Sequence, residues 1–406
     1  MDKPSGKRTI YFVWNYTNWG GAQIYLMAIM KAARTDWNLK AIIPRDSDAG
    51  LISFLEEIPV EIEFLNRALA TETPAGLIGK IRRQYRRIMS EQEIFWKVRR
   101  FDLRKNILHI EIAPWQSWIL LAAFSLMRAN VFITLHNFVE DAPIWRKLIW
   151  KARLGLVSRL PGLHFFAANG DARAKMKPWV SAASWAAVKL TYTAVDPVLI
   201  DKVLDSEPQK APKAGKISKP ANFTILCVGQ FIDRKGRWVF LEAAREIKEM
   251  DARLKFIWLA PHLPDSGEMK IVESYGLGEN FKIVQSGSVG KSRLEILRFF
   301  RKADIFVLPS FVEGLAIALL EAMALGIPAI STNVFSIPEA VKHMETGILI
   351  EAGDAEALAR AILLLKEDGP LRSRIAMAGQ EYVLKHFDER KSAATAIEAY
   401  RTALRL

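Results

Sequence analysis

Two glutamates eight residues apart, Glu313 and Glu321, are the residues of this chain best placed to do chemistry. Glu321 sits among Ile317, Ala318, Leu319, Leu320, Ala322, Met323, Ala324 and Leu325. A helix apolar nearly all round is buried, and a carboxylate inside it needs a partner, because an unpaired buried charge costs several kcal/mol. A pair of ribose hydroxyls would serve, and so would a structural arginine or a set of backbone amides. Glu313 lies just before the same helix. At 1.5 Å rise per residue the two carboxylates are about 12 Å apart, a span that suits the distance from the sugar to the ribose of a nucleotide-sugar. Gly314 opens the helix and lets its first free N–H groups approach a diphosphate.

A second cluster is Gly229-Gln230-Phe231-Ile232-Asp233-Arg234-Lys235-Gly236, directly after an apolar run. Lys235 and Arg234 beside a glycine turn can neutralise a diphosphate leaving group. Alone, such a turn reads as an ordinary surface loop. Beside the Glu313 segment it reads as half of an anion site.

These clusters need rigid elements behind them. Short apolar runs alternate with helical patterns along the whole chain, which predicts parallel sheets with helices on both faces. Expected strands are Thr9–Trp14, Lys40–Pro44, Ile107–Ile112 and Val131–Leu135, then Thr224–Val228, Lys255–Leu259, Lys282–Gln285, Ile305–Leu308 and Ala329–Ser331. Expected helices include Ala22–Ala33, Trp238–Glu249, Arg293–Arg301, Ala316–Leu325 and a last one over Glu381–Leu406. From Asp205 to Pro220 the pattern stops: three prolines, a glycine and four lysines mark a linker. The 406 residues thus divide into an N-terminal domain over 1–204, a linker over 205–221, a C-terminal domain over 222–380 and a terminal helix over 381–406 packing back on the N-terminal domain. Ligands bind open parallel sheets at the C-terminal ends of their strands, so the two sheets are expected to face a central cleft.

The segment PSFVEGLAIALLEAMALGIPAIST, with its E-x7-E pair, and the region from Val228 to about Leu365 that includes Glu345-Thr346-Gly347-Ile348-Leu349-Ile350, closely resemble the family 4 glycosyltransferases. The N-terminal half resembles them in outline. Gly20-Gly21-Ala22-Gln23 after the first strand is similar to the family's glycine loop beside the diphosphate, and His136 in VFITLHNF stands where the family has a cleft histidine. The resemblance implies a GT-B fold of two Rossmann-like domains. It also implies a retaining transfer from a UDP- or GDP-linked sugar to a glycan or lipid-linked acceptor in envelope polysaccharide or glycolipid assembly. A catalytically silent nucleotide-sugar-binding protein of the same fold is the alternative.

By the same resemblance Glu321 binds ribose, Glu313 faces the transferred sugar, Leu315, Ala316 and Ile317 offer amides to the diphosphate, and Lys235 binds it by side chain. Gly20 and Gly21 lie against the diphosphate, the loop Gly287-Ser288-Val289 lies near the base, and His136 sits at the acceptor side or against the sugar. Three positions depart from the family: Gln230 stands where arginine is usual, with Arg234 as the replacement charge; Phe335-Ser336 replaces Gly-Gly before Pro338-Glu339; and Thr193-Ala194-Val195-Asp196 replaces Asn-Gly-Val-Asp. The implied mechanism is same-face attack by the acceptor, with the departing nucleoside diphosphate taking the acceptor's proton. It requires no cofactor or metal.

Charge and cysteine use set the surroundings. The net charge is +13, with 28 Lys+Arg against 17 Asp+Glu in residues 1–200. The densest basic stretch, Lys80 to Lys105, reads as a solvated helix face or as a surface for anionic headgroups or nucleic acid. Tyr85, Phe95 and Trp96 favour the membrane surface, with Arg82, Arg83, Arg86 and Arg87 as the contact, and no nucleic-acid motif accompanies the run. Cys227 is the single cysteine, so no internal disulfide forms and a reducing compartment is expected. The polar N-terminus and the short apolar run after it do not read as a signal peptide. The expected location is cytoplasmic, peripheral at the inner membrane face.

Overall fold

The computed structural model describes residues 6–17, 20–69, 76–138, 142–206, 223–251, 253–290 and 292–406. From residue 207 on, the expected linker lies outside the described residues. The chain divides into two units, the first Met1–Thr193 with Glu389–Leu406, the second Ala194–Asp388.

The first unit is built on seven strands: β1 (Thr9–Trp14), β2 (Asn38–Pro44), β3 (Glu61–Leu65), β4 (Ile107–Glu111), β5 (Asn130–Leu135), β6 (Leu163–Ala167) and β7 (Lys189–Leu190). They form one sheet in the order β3-β2-β1-β4-β5-β6-β7, every pair parallel. Successive side chains of β1 go to opposite faces. Ile10, Phe12 and Trp14 join the core on one side, and Tyr11 and Val13 join the core on the other. The helices of this unit used below are α1 (Gly21–Ala33), α2 (Gly76–Val98), α3 (Trp118–Leu126) and α4 (Ile144–Val157).

The second unit has six strands: β8 (Phe223–Val228), β9 (Leu254–Ala260), β10 (Phe281–Gln285), β11 (Ile305–Leu308), β12 (Ala329–Thr332) and β13 (Ile348–Ile350). Their order is β10-β9-β8-β11-β12-β13, again all parallel. Its helices include α5 (Arg237–Met250), α6 (Arg293–Phe300), α7 (Ile317–Ala324) and α8 (Gly369–His386). In both sheets the strand order reverses direction beside the first strand, between β1 and β4 and between β8 and β11. Crevices at the carboxyl ends of strands open at such switch points.

Two expectations are corrected. The last helix is not continuous over Glu381–Leu406. α8 ends at His386 and α9 (Glu389–Ala403) starts afresh. The helix breaks there because Val195 N donates to Phe387 O at 2.9 Å and Val195 forms an isolated parallel bridge with Asp388. α9 belongs to the first unit, where Ala393, Ala396 and Tyr400 enter its core. The chain also enters the second unit before the proline-rich segment: helix Pro197–Ser206 lies in that unit and Arg298 Nε of α6 reaches Ser206 Oγ at 3.3 Å.

Candidate functional site

In the second unit the loop after β8 and the loop after β11 meet at the switch point. Gly236, at φ 74°, is the reason they can. A Cβ there would stand 1.9 Å from Pro309 O, so only glycine admits the contact. Phe311 N donates to Arg234 O at 2.9 Å, and the Arg234 guanidinium donates to Val312 O at 3.0 Å. Arg237 fixes the loop from its other side. Its Nε donates to Asp233 Oδ1 at 2.8 Å, one Nη donates to Phe231 O at 2.9 Å, and the same nitrogen pairs with Glu268. Arg237 was not among the expected site residues, because one of its partners, Glu268, lies 31 residues further along the chain.

This joining brings Lys235 onto Glu313. The ammonium bonds to Glu313 Oε1, and Ser310 Oγ donates to the same oxygen at 3.0 Å. Glu313 is 6% exposed. Burial of the pair away from bulk water strengthens the attraction between its charges. Lys235 is therefore a half-buried ion-pair partner rather than a side chain of a free polar loop. Gln230 lies at the start of the same loop, half-buried.

α7 follows. Its N-cap is Ala316, which has no side-chain oxygen to cap the first turn. The backbone N–H groups there, those of Leu315, Ala316 and Ile317 among them, lie at the positive end of the helix dipole. Glu321, on the second turn, is 6% exposed and pairs with Arg293 at the start of α6. Of the partners considered for this carboxylate, the chain itself supplies the arginine. Gly287-Ser288-Val289, expected as a loop, is part of a helical turn, Ser286–Val289, because Ser288 Oγ donates back to Gln285 O at 2.7 Å and Gly290 N donates to Ser286 O at 3.3 Å. Ser288 is exposed.

Phe335 adopts a left-handed backbone, φ 48°. This conformation costs a side-chain-bearing residue on the order of 1–2 kcal/mol. The family's glycine at this position would adopt it freely.

In the first unit Gly20 is the N-cap of α1, and its N–H donates to Gln23 Oε1 at 2.8 Å. A Cβ on Gly20 would meet nothing within 4 Å, so packing within the chain does not demand glycine there. Gly21 is the first helical residue. His136 follows β5, with its ring edge-on to Tyr25 at 5.3 Å between centroids, and its backbone O accepts from Asn169 Nδ2 at 2.7 Å. Its Nε2 lies 3.1 Å from Glu111 Oε2 at the end of β4. Glu111 is 5% exposed and was not among the expected site residues. Behind it His109 is fully buried, with Nδ1 2.5 Å from Tyr400 Oη and Nε2 2.7 Å from Thr134 Oγ1. Burial pushes the His109 pKa down to about 3, and nearby His136 adds to the effect, so the ring is neutral.

Of the four expected contact arginines on α2, Arg82, Arg83 and Arg86 are exposed. Arg87 is not: its guanidinium bonds to Gln116 and to Gln84, and its Nε lies 3.7 Å from Glu91.

Residues 209–382 match the family model of the glycosyl transferases group 1. The amylovoran biosynthesis glycosyltransferase AmsK of Erwinia amylovora is 30% identical over 41% of this chain and 41% of its own length. The phosphatidyl-myo-inositol mannosyltransferase of Mycobacterium leprae is 30% identical over 49% of this chain and 50% of its own. The chain thus matches half or less of the length of these relatives. The crystal structure of Anabaena HepE with UDP and glucose superposes with a TM-score of 0.71 at 16% identity, covering 96% of this chain and 98% of that one. Both units therefore share the GT-B fold, and residues 209–382 are similar to the group 1 glycosyl transferases.

Proposed function

We propose that the chain is a retaining glycosyltransferase that moves a sugar from a nucleoside-diphosphate sugar to a glycan or lipid-linked acceptor, in envelope polysaccharide or glycolipid assembly. The observation that carries the reading is the fold of the E-x7-E segment. One buried carboxylate, Glu313, precedes an uncapped helix N-terminus, the other, Glu321, lies on its second turn, and a lysine stands at the first. Glu313, Lys235 and His136 are the residues assigned to catalysis. The amides of Gly314, Leu315, Ala316 and Ile317, with Lys235, Arg234 and Gln230, hold the diphosphate; Glu321 holds the ribose, Ser288 and Val289 border the base, and Gly20 and Gly21 are assigned to diphosphate binding by the family resemblance. In the step itself the bond from the anomeric carbon to the phosphate oxygen breaks. A bond from that carbon to the acceptor oxygen forms on the same face, and the acceptor's proton passes to the leaving diphosphate. The protein contributes position and charge stabilisation.

The donor is tested by thermal shift with UDP, GDP, ADP and CMP, since a ligand at 100 times its Kd stabilises by about 2.7 kcal/mol. Stabilisation by one nucleoside diphosphate, followed by NMR detection of a product with the donor's anomeric configuration, is the expected result. No shift with any nucleotide overturns the donor reading. One observation favours the catalytically silent alternative: Arg293 already occupies Glu321. Nucleotide binding without transfer or slow hydrolysis of any nucleotide-sugar would establish it.

The acceptor reading rests on charge. α2 exposes Arg82, Arg83 and Arg86 together with Leu77, Ile78, Ile81 and Tyr85. A basic amphipathic surface of this kind suits an anionic bilayer, and no described helix is long and apolar enough to cross one.

A further inference from the structure

Arg293 and Glu321 stand on two helices of the second unit. α6 follows β10 and α7 follows β11, so both helices begin at the carboxyl ends of strands.

Arg293 is the first residue of α6. A cation is unfavourable at the positive end of a helix dipole, and the helix start is complete without it. Ser292 Oγ accepts from Glu295 N at 3.3 Å, and Ser292 N donates to Glu295 Oε2 at 2.9 Å. Below this cap Leu297 and Phe300 are buried, and Phe300 stacks on Phe306 of β11 at 5.9 Å between centroids. The arginine therefore sits on a rigid element that has no local use for it. Its guanidinium goes to Glu321 Oε1. The carboxylate's side chain is 7% exposed and the arginine's 22%, so the pair opens to solvent on the arginine's side.

A neutral pair of this kind selects its ligand. A phosphate finds a guanidinium whose charge is already balanced, and a cation finds a carboxylate in the same state. A guanidinium carries five N–H donors and no acceptor, while an ionised carboxylate accepts at about four lone-pair positions and donates nothing. Their mutual bond uses one of these positions on each. The group that fits a donor and an acceptor side by side is a hydroxyl, which gives its proton to the carboxylate and accepts from the guanidinium. Two hydroxyls on neighbouring carbons do so twice. Glu321 lies four residues beyond Ile317, about 6 Å along the helix. A diphosphate at the first turn of α7 would carry its ribose to this pair, and the ribose diol supplies the two hydroxyls.

We propose that Arg293 is a specificity-determining residue for the donor: with Glu321 it reads the 2′- and 3′-hydroxyls of the nucleoside diphosphate, its guanidinium donating to the hydroxyl oxygens whose protons go to the carboxylate, so that the site selects ribonucleotides over deoxyribonucleotides. The assignment rests on the nucleotide-sugar reading above and makes Arg293 part of the ribose site, not an occupant that the ribose must displace.

The test uses the full chain and calorimetric titration with UDP and GDP, each also as its 2′,3′-dideoxy form. The wild type is expected to bind one ribonucleotide at least about tenfold more tightly than its dideoxy form, the scale of one charge-assisted hydrogen bond. Arg293→Ala should weaken the ribonucleotide about tenfold and leave the dideoxy form unchanged, so that the ratio between them falls about tenfold. Arg293→Lys keeps the ion pair without the planar fork. It should keep the wild-type Tm and still lower the ratio, and it decides alone if the alanine variant does not fold. A merely structural arginine would weaken both forms alike, so an unchanged ratio overturns the proposal. A gain in ribonucleotide affinity in Arg293→Ala also overturns it, because the arginine would then compete with the ribose. Both results leave the donor reading intact, since nucleotide still binds. Absence of binding of any nucleoside diphosphate to the wild type overturns the donor reading and the proposal with it.

Discussion

Lys235 and Glu313, 78 residues apart, form one ion pair whose carboxylate is also hydrogen-bonded by Ser310. The pair ties the loop after β8 to the loop after β11, and its two side chains are 15% and 7% exposed. Removing one partner of a buried pair strands the other. Lys235→Ala should therefore destabilise the protein by about 3 kcal/mol, the lower part of the range for breaking buried pairs, as well as lowering turnover. Adding Glu313→Gln should restore most of that stability but not the activity. Urea denaturation of the two single variants and the double variant measures the coupling. Additive losses would show that the pair contributes nothing jointly.

Glu321 and Arg293 pose the corresponding question for the ribose. Glu321→Ala should weaken nucleoside diphosphate binding by about 1–3 kcal/mol, the scale of lost charge-assisted hydrogen bonds. It should cost little stability, because Arg293 is 22% exposed and water can take the carboxylate's place. Calorimetric titration with the diphosphate found by thermal shift gives the number. Unchanged affinity in the folded variant would make Glu321 a structural partner of Arg293 alone.

The difference in what could be read from the sequence follows from range. The meeting of the two loops of the second unit was legible because its signature is local: Glu313, Gly314 and Glu321 lie on one short segment, and Gly229 and Gly236 bracket one loop. Residues whose partners are distant were not. Glu111, in the run ILHIEI, is an ordinary polar interruption of a strand until the order β1-β4-β5 places its end in the middle of the sheet. The Lys235–Glu313 pair exists only because β8 and β11 are neighbours. Strands β3, β6, β7 and β13 were missed: two are at sheet edges with two or three residues, and the other two carry runs of five. The break between α8 and α9 was hidden because it is set by pairing with Val195, nearly two hundred residues earlier.

His109 makes the first unit acid-sensitive. Its folded pKa, about 3, lies below the unfolded value near 6.5. A depressed folded pKa means that the unfolded state binds the proton first. The contribution is thus fully present above about pH 6.5 and is lost as pH falls from there towards 3, at up to about 1.4 kcal/mol per pH unit. His109→Gln can keep contacts to Tyr400 and Thr134 without titrating. The wild type should be the more stable at pH 7, and the difference should shrink steadily at pH 6, 5 and 4.5 in urea denaturation. A difference constant across that range would show that His109 does not drive the acid limb.

The exposed face of α2 gives a prediction in which charge and apolar area separate. Leu77, Ile78, Ile81 and Tyr85 are 72, 83, 62 and 63% exposed. The spacing of Ile78, Ile81 and Tyr85 puts them along one side of the helix, beside Arg82 and Arg86. α3 packs between α2 and α4, and α4 exposes Ile144, Trp145 and Leu148 in turn. Each basic residue near an anionic surface contributes about 1 kcal/mol and is screened within a Debye length. Changing Arg82, Arg83 and Arg86 to Ser should thus weaken binding to anionic vesicles by about 3 kcal/mol, roughly a hundredfold. Arg87 is left in place because its guanidinium is engaged inside the unit. High salt should imitate the triple variant. A residue of salt-resistant binding should remain and should vanish on adding Ile81→Ser and Trp145→Ser, because burying apolar area does not depend on ionic strength. Sedimentation with vesicles of graded anionic lipid content measures all of these. Binding indifferent to lipid charge, salt and the three arginines would remove the electrostatic mechanism, and no vesicle binding by the wild type would make α2 a solvated helix face.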